Sequence, residues 1–142
     1  MLLIALAVVS TLGTQPPTTT PPCPSAATTI ALDTCLGGER DQAMAQLERY
    51  RAAARALLGK DNASAGVLKG FDAAQATWRA YQTTQCGAVY TYWQAGTIRG
   101  AMALTCQIRM ARLRTHELWS TWLTYPDSTP PLLPEPIVAT GS

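Results

Sequence analysis

Four cysteines, Cys23, Cys35, Cys86 and Cys106, constrain this chain more than any other feature. An even count in a chain of 142 residues reads as a disulfide framework. The other use of several thiols is a metal site, but no two of these stand two to four residues apart, and His116 is the sole histidine to complete a ligand set. That lone histidine also rules out any mechanism needing two imidazoles. Four cysteines allow three pairings. Turning the chain at Gly96 brings Cys86 and Cys106, ten residues to either side, face to face, and leaves Cys23 and Cys35 to close a short N-terminal loop. Each bridge is worth about 2–4 kcal/mol by restricting the unfolded chain.

Disulfides call for an oxidising compartment, and the N-terminus agrees. Residues 1–13 form an apolar run shorter than the roughly 20 residues of a membrane-spanning helix and of the right length for a signal-peptide core. No Lys or Arg precedes Arg40, so this is a degenerate signal or one whose start lies elsewhere, with Thr11 and Gly13 offering a cleavage site. Pro21-Pro22 before Cys23 argues against a lipid anchor. The expected location is periplasmic or secreted, with no stable membrane span after cleavage. Residues 14–22, rich in Pro and Thr, read as an extended linker, and residues 126–142, with five prolines, as a flexible tail. The folded unit is then residues 23–125.

Within it no stretch alternates with period two, while three show helical periodicity, so the expected class is all-α: a small antiparallel bundle of three long helices plus a short N-terminal helical turn. The first helix is expected from Glu39 to Leu58, with Met44, Leu47, Tyr50, Ala54 and Leu57 on one face. A loop follows, containing the sequon Asn62-Ala63-Ser64. The second is expected from Val67 to Tyr92, with an apolar stripe of Leu68, Phe71, Ala74, Trp78, Tyr81, Val89 and Tyr92. The third runs from Thr97 to Trp122 through Ile98, Ala101, Leu104, Ile108 and Leu118. The short extra turn falls between Cys23 and Cys35, around Thr28, Thr29, Ile30 and Leu32. A hydrophobic share of 47% suits one small core, and a net charge of +2 is too mild for a nucleic-acid binder.

These residues carry a resemblance. Cys23-x11-Cys35, then Asp41, Leu47 and Tyr50, then Phe71-x3-Gln75-x2-Trp78-x2-Tyr81-x4-Cys86, then Gly96-Thr97, then Cys106-x3-Met110-x3-Arg114-x3-Leu118, resemble the LprI-like lysozyme inhibitor family of small secreted bacterial proteins. The resemblance implies a helical protein with two disulfides and, for some members, binding and inhibition of lysozyme. This chain departs from it at Gln82-Thr83, where the family usually places Arg-Asp, and at Ala111, where threonine is common; a polar contact made by the Arg-Asp pair would be absent here.

Each candidate residue has a structural and a functional reading. Gln75, Trp78 and Tyr81 sit on adjacent helical turns and are expected in the core, Gln75 satisfying the aromatic donors. Arg114 completes that family motif. Tyr90, Tyr92 and Trp93 beside the Gly96 turn, with Arg99, are the candidate partner surface, since helix-hairpin ends are exposed and Tyr and Trp are enriched at binding hot spots. Lys60, Lys69 and Arg99 are the basic residues near loops that would suit a cleft lined by carboxylates. Trp119 and Trp122 are expected to cap the core. His116 is expected as a solvated residue near a helix C-terminus, Asp33, Glu39 and Asp41 as carboxylates stabilising a helix N-terminus, and Arg109, Arg112 and Arg114 as a modest basic face.

No Gly-rich phosphate loop, nucleophile elbow or ligand cluster is present in the sequence, so neither enzyme nor cofactor is expected. Two readings of the function remain. One is a binder that blocks a lysozyme, favoured by a basic-tipped projection; the other is a non-inhibitory, disulfide-stapled interaction module of the cell envelope, favoured by a broad aromatic patch at the Gly96 end.

Overall fold

The computed structural model describes residues 23–60 and 65–138, so the expected signal segment, the Pro/Thr linker and the sequon lie outside the described residues. Helix α1 spans Thr29–Leu58, α2 spans Ala65–Tyr92 and α3 spans Arg99–Trp122. No strand occurs among the described residues. The all-α expectation holds, with one change at the start. The helical turn expected between the first two cysteines is the beginning of α1 itself, which passes unbroken through Gly37-Gly38.

Two glycines cost a helix roughly 0.5–1 kcal/mol each against alanine. The cost is met on the N-terminal side of the pair. Thr28, in extended conformation, accepts a hydrogen bond from the Ala31 amide at 3.1 Å and so caps the helix. Cys35 is bonded to Cys23 across 6.0 Å between Cα atoms, and Leu36 is buried in the core. Cys23 itself takes a left-handed φ of 64°, which a side chain adopts at a cost, and the bridge fixes it there.

The pairing expected from the Gly96 turn is the one formed: Cys86 in α2 is bonded to Cys106 in α3, with Cα atoms 5.6 Å apart, and all four cysteines are paired. Helix α3 is the central element. Against α1 it packs Ala101, Ile108, Ala111 and Leu118 onto Leu36, Ala43, Leu47, Tyr50 and Ala54, and the alanines let the two axes approach closely. These two helices run the same way, since Asp33 faces Gly100 and Glu39 pairs with Arg112 at 2.9 Å. Helix α2 runs opposite to both. Its buried line is Phe71, Gln75, Gln82 and Cys86, with Trp78 and Val89 half-buried beside it.

That line corrects the expected stripe. Tyr81 is 58% exposed and Tyr92 81%, because steps of four and three from Phe71 select positions 75, 78, 82 and 86, and Tyr81 falls about 100° away from them. The seam between α1 and α2 is ionic: Arg55 meets Asp72 at 3.0 Å and Arg79 meets Glu48 at 3.1 Å. The Arg51 guanidinium, hydrogen-bonded to Glu48, holds that carboxyl below its usual range.

The chain beyond α3 is expected as a flexible tail; residues 126–131 are indeed exposed, but residues 132–136 are held against the bundle. The Leu132 amide donates to Leu123 O at 2.8 Å, Trp119 Nε1 to Leu133 O at 2.9 Å, and Tyr50 Oη to Pro134 O at 2.7 Å. Leu133 packs on the core and Pro136 is buried. Prolines carry no helical period, but they leave carbonyls open to donors from the bundle, and these donors take them. No helix among the described residues is long and apolar enough to cross a membrane.

Candidate functional site

The α2–α3 turn gathers most of the exposed aromatic surface. Its backbone is closed by Trp93 N to Val89 O at 3.2 Å, Gln94 N to Thr91 O at 3.2 Å and Gly96 N to Trp93 O at 2.9 Å. Gly96 sits in the turn as expected, yet with a negative φ and only ordinary contacts around a would-be Cβ, so the turn does not depend on its being glycine. Gly100 does matter. A Cβ there would stand 2.5 Å from Asp33 Oδ2, and this close approach lets the start of α1 lie against the first turn of α3. Asp33 thereby places a carboxylate beside the positive end of the α3 dipole, where Ile98 offers no side-chain cap.

On this base the expected partner residues come together. Tyr92 and Trp93 meet edge to face, with ring centroids 5.5 Å apart at 84°. The Arg99 guanidinium lies 5.5 Å over the Tyr90 ring and donates from Nη1 to Gln94 O at 3.1 Å, so the cation is held at the apex by its own turn. Tyr90, Thr97 and Arg99 then form one wall of an open groove of about 630 Å³, with Thr28, Ile30 and Asp33 opposite. Ile30 is 81% exposed. Tyr90 also edges a second groove of about 430 Å³ between α1 and α2, where Arg40, Met44, Gln82 and Gln107 surround the buried disulfide.

The family-motif residues divide. Gln75 is buried and its Oε1 accepts from Arg114 Nε at 3.4 Å, tying α2 to α3; Arg114 also pairs with Glu117 at 2.8 Å. Trp78 is half-buried between the two parts of the core, and Tyr81 is outside. Gln82 is buried and donates to Gln107 O at 3.2 Å, so it holds α2 to α3.

Other expectations change. Arg109, Arg112 and Arg114 are not one basic face: Arg112 is paired with Glu39 and Arg114 with Glu117, while Arg109 is exposed. Glu39 and Asp41 are not at a helix start, because α1 begins ten residues earlier than Glu39; Asp41 pairs with Arg40 at 2.9 Å. His116 faces Glu135 at 3.2 Å and lies against Trp119, the rings tilted at 48° with centroids 5.4 Å apart. Trp122 meets Phe71 edge to face at 5.8 Å, and both it and Trp119 pack on the core as expected. Lys60 and Lys69 are exposed, and neither lines the groove at the aromatic turn. Sequence reasoning missed Ile30 and Asp33 as neighbours of that turn. The signal was available in Gly100, a small residue one step past Arg99 that invites another chain segment close. Among the described residues no group of three His, Cys, Asp or Glu is placed to hold a metal ion.

A model of the family described as lysozyme inhibitor LprI matches residues 22–118. The matched span holds both disulfides and the whole aromatic turn, and ends before the C-terminal strap. No curated protein and no solved structure matches the chain.

Proposed function

This chain belongs to the LprI lysozyme inhibitor family, and on that premise we propose that it binds a lysozyme outside the cytoplasm, in the periplasm or after secretion, and blocks the enzyme's cleft with its α2–α3 turn. Two disulfides support the compartment, since such bonds persist where thiols oxidise. The observation that carries the contact is Arg99 held over Tyr90 beside the exposed pair Tyr92 and Trp93.

Glycoside hydrolysis of this kind uses two carboxyl groups flanking the scissile bond. A guanidinium presented at a projecting turn matches a carboxylate in charge and in hydrogen-bond geometry, and flanking Tyr and Trp supply rigid contact area at low entropic cost. Inhibition of this sort is occupation, not chemistry, so the protein is read as a binder and no catalytic residue or cofactor is assigned.

The breadth of the aromatic patch, from Tyr90 to Trp93 with Ile30 nearby, favours a second reading, an envelope interaction module without inhibitory action. One titration separates them. Oxidised full-length protein is added to c-type, g-type and i-type lysozymes in a lysis assay, with reduced protein as control. Saturable loss of lysis near one-to-one stoichiometry supports the inhibitor and names its target class. Undiminished lysis in all three, from a sample shown to be helical, rejects it in favour of the module.

A further inference from the structure

The C-terminal strap is held in a way that a merely packed tail does not require. Trp119 Nε1 and Tyr50 Oη donate to the carbonyls of two consecutive residues, Leu133 and Pro134, at 2.9 and 2.7 Å. Glu135 meets His116, whose ring lies tilted against Trp119, and Pro136 is buried. An indole N–H and a phenol O–H directed at successive carbonyls of a proline-containing segment that lies in no helix or strand, bent at Leu132–Leu133, is how a folded domain holds a polyproline-type peptide. Such a segment has no internal hydrogen bonds to give up, and its prolines have already restricted it. Both donors belong to the body of the bundle, Tyr50 to α1 and Trp119 to α3.

We propose that the α1–α3 face between Tyr50 and Trp119 is a binding site for an extended proline-rich peptide, filled within the chain by Leu132–Pro136, and that the ligand it takes from outside is the same segment of a second copy. The second copy is favoured because its tail matches every donor by identity. The link to be opened for exchange, Tyr125 to Pro131, is exposed; an extended course has only the Leu132 N to Leu123 O bond and the Asp127–Thr129 turn to give up, and its three prolines suit that course. At low concentration the chain's own tail wins by its high effective concentration; exchange gains as protein concentration rises.

Two full-chain variants test this. In the first, Ser128, Thr129 and Pro130 are deleted so that the tail no longer reaches its own site; sedimentation should show a dimer, and adding Tyr50→Phe should weaken it roughly fivefold per site, the loss of one hydrogen bond. In the second, a protease site is inserted between Ser128 and Thr129. After cutting, the tail fragment should co-elute with the body and be displaced saturably by a synthetic peptide of the sequence Thr129–Val138. A shortened chain that stays monomeric and helical overturns the exchange, whatever the cut chain does. A cut chain that loses its fragment while staying helical overturns the site. Loss of helix in either variant also overturns the proposal, because the tail would then be part of the core and not a ligand.

Discussion

The two ends of this bundle, about 36 Å apart along α3, expose their aromatics to opposite fates. At the end where α3 finishes, Tyr50, Trp119 and Trp122 are covered by the chain's own strap and by Phe71. At the end where α3 begins, Tyr90, Tyr92 and Trp93 are exposed; the two helices that carry their turn are stapled by Cys86–Cys106, and the start of α1 beside them by Cys23–Cys35. One end is held by reversible hydrogen bonds and burial, the other by covalent bonds and close helix contact at Gly100. An aromatic surface left uncovered on a rigid base is prepared for a partner, since little further ordering is lost on binding. A covered one already has its partner.

The comparison breaks most severely if the staple is removed. Cys86→Ala with Cys106→Ala should cost about 2–5 kcal/mol in thermal or denaturant unfolding. The Cys23→Ala, Cys35→Ala pair should cost less, because Cys35 is exposed and its removal leaves no buried cavity. The next largest effect separates the ends by function. Trp93→Ala should weaken lysozyme binding by about 2 kcal/mol or more in calorimetric titration, roughly thirtyfold, with little change in melting temperature. Trp119→Ala should do the reverse, lowering stability and sparing affinity.

Gly100→Ala should destabilise by about 1–3 kcal/mol, since the new methyl group meets the Asp33 carboxylate, and should loosen only the bare end in amide exchange. Tyr50→Phe removes one buried hydrogen bond and should cost about 1 kcal/mol, seen as faster exchange at the strap. The smallest effect lies between the ends, where Glu48→Gln should change stability by about 0.5 kcal/mol or less. Because Arg51 lowers the folded-state pKa of Glu48, its contribution is present above the ordinary carboxylate value and is lost as pH falls through the lowered one. A melt series at acid pH, compared between wild type and E48Q, checks the sign.

Much of this was written in the residues. Helical period gave α2 and α3 within two residues of their ends, and symmetry about Gly96 gave the inter-helix disulfide. The start of α1 was hidden by Gly37-Gly38, which reads locally as a break and is overridden by the buried Leu36 and the Cys23–Cys35 bridge. Tyr81 is expected inside, and Tyr92 counts both in the stripe and in the exposed turn, because an aromatic near an apolar stripe resembles part of it; the angle on the helix puts both outside. The strap was invisible for a different reason. Its hold comes from carbonyls taken by Tyr50 and Trp119, and main-chain acceptors have no signature in side-chain sequence. At the candidate site Tyr90, Tyr92, Trp93 and Arg99 could be named in advance, whereas Ile30 and Asp33 arrive from a helix sixty residues earlier and needed the fold to place them.

The central claim, that the bare end is the one that meets lysozyme, is tested most directly by amide hydrogen exchange on the oxidised full chain, alone and with an excess of the lysozyme it inhibits best. The account predicts new protection at Tyr90–Arg99 and Thr29–Asp33, with Trp119–Pro136 unchanged. Protection confined to the strapped end, or no protection at either, would contradict it.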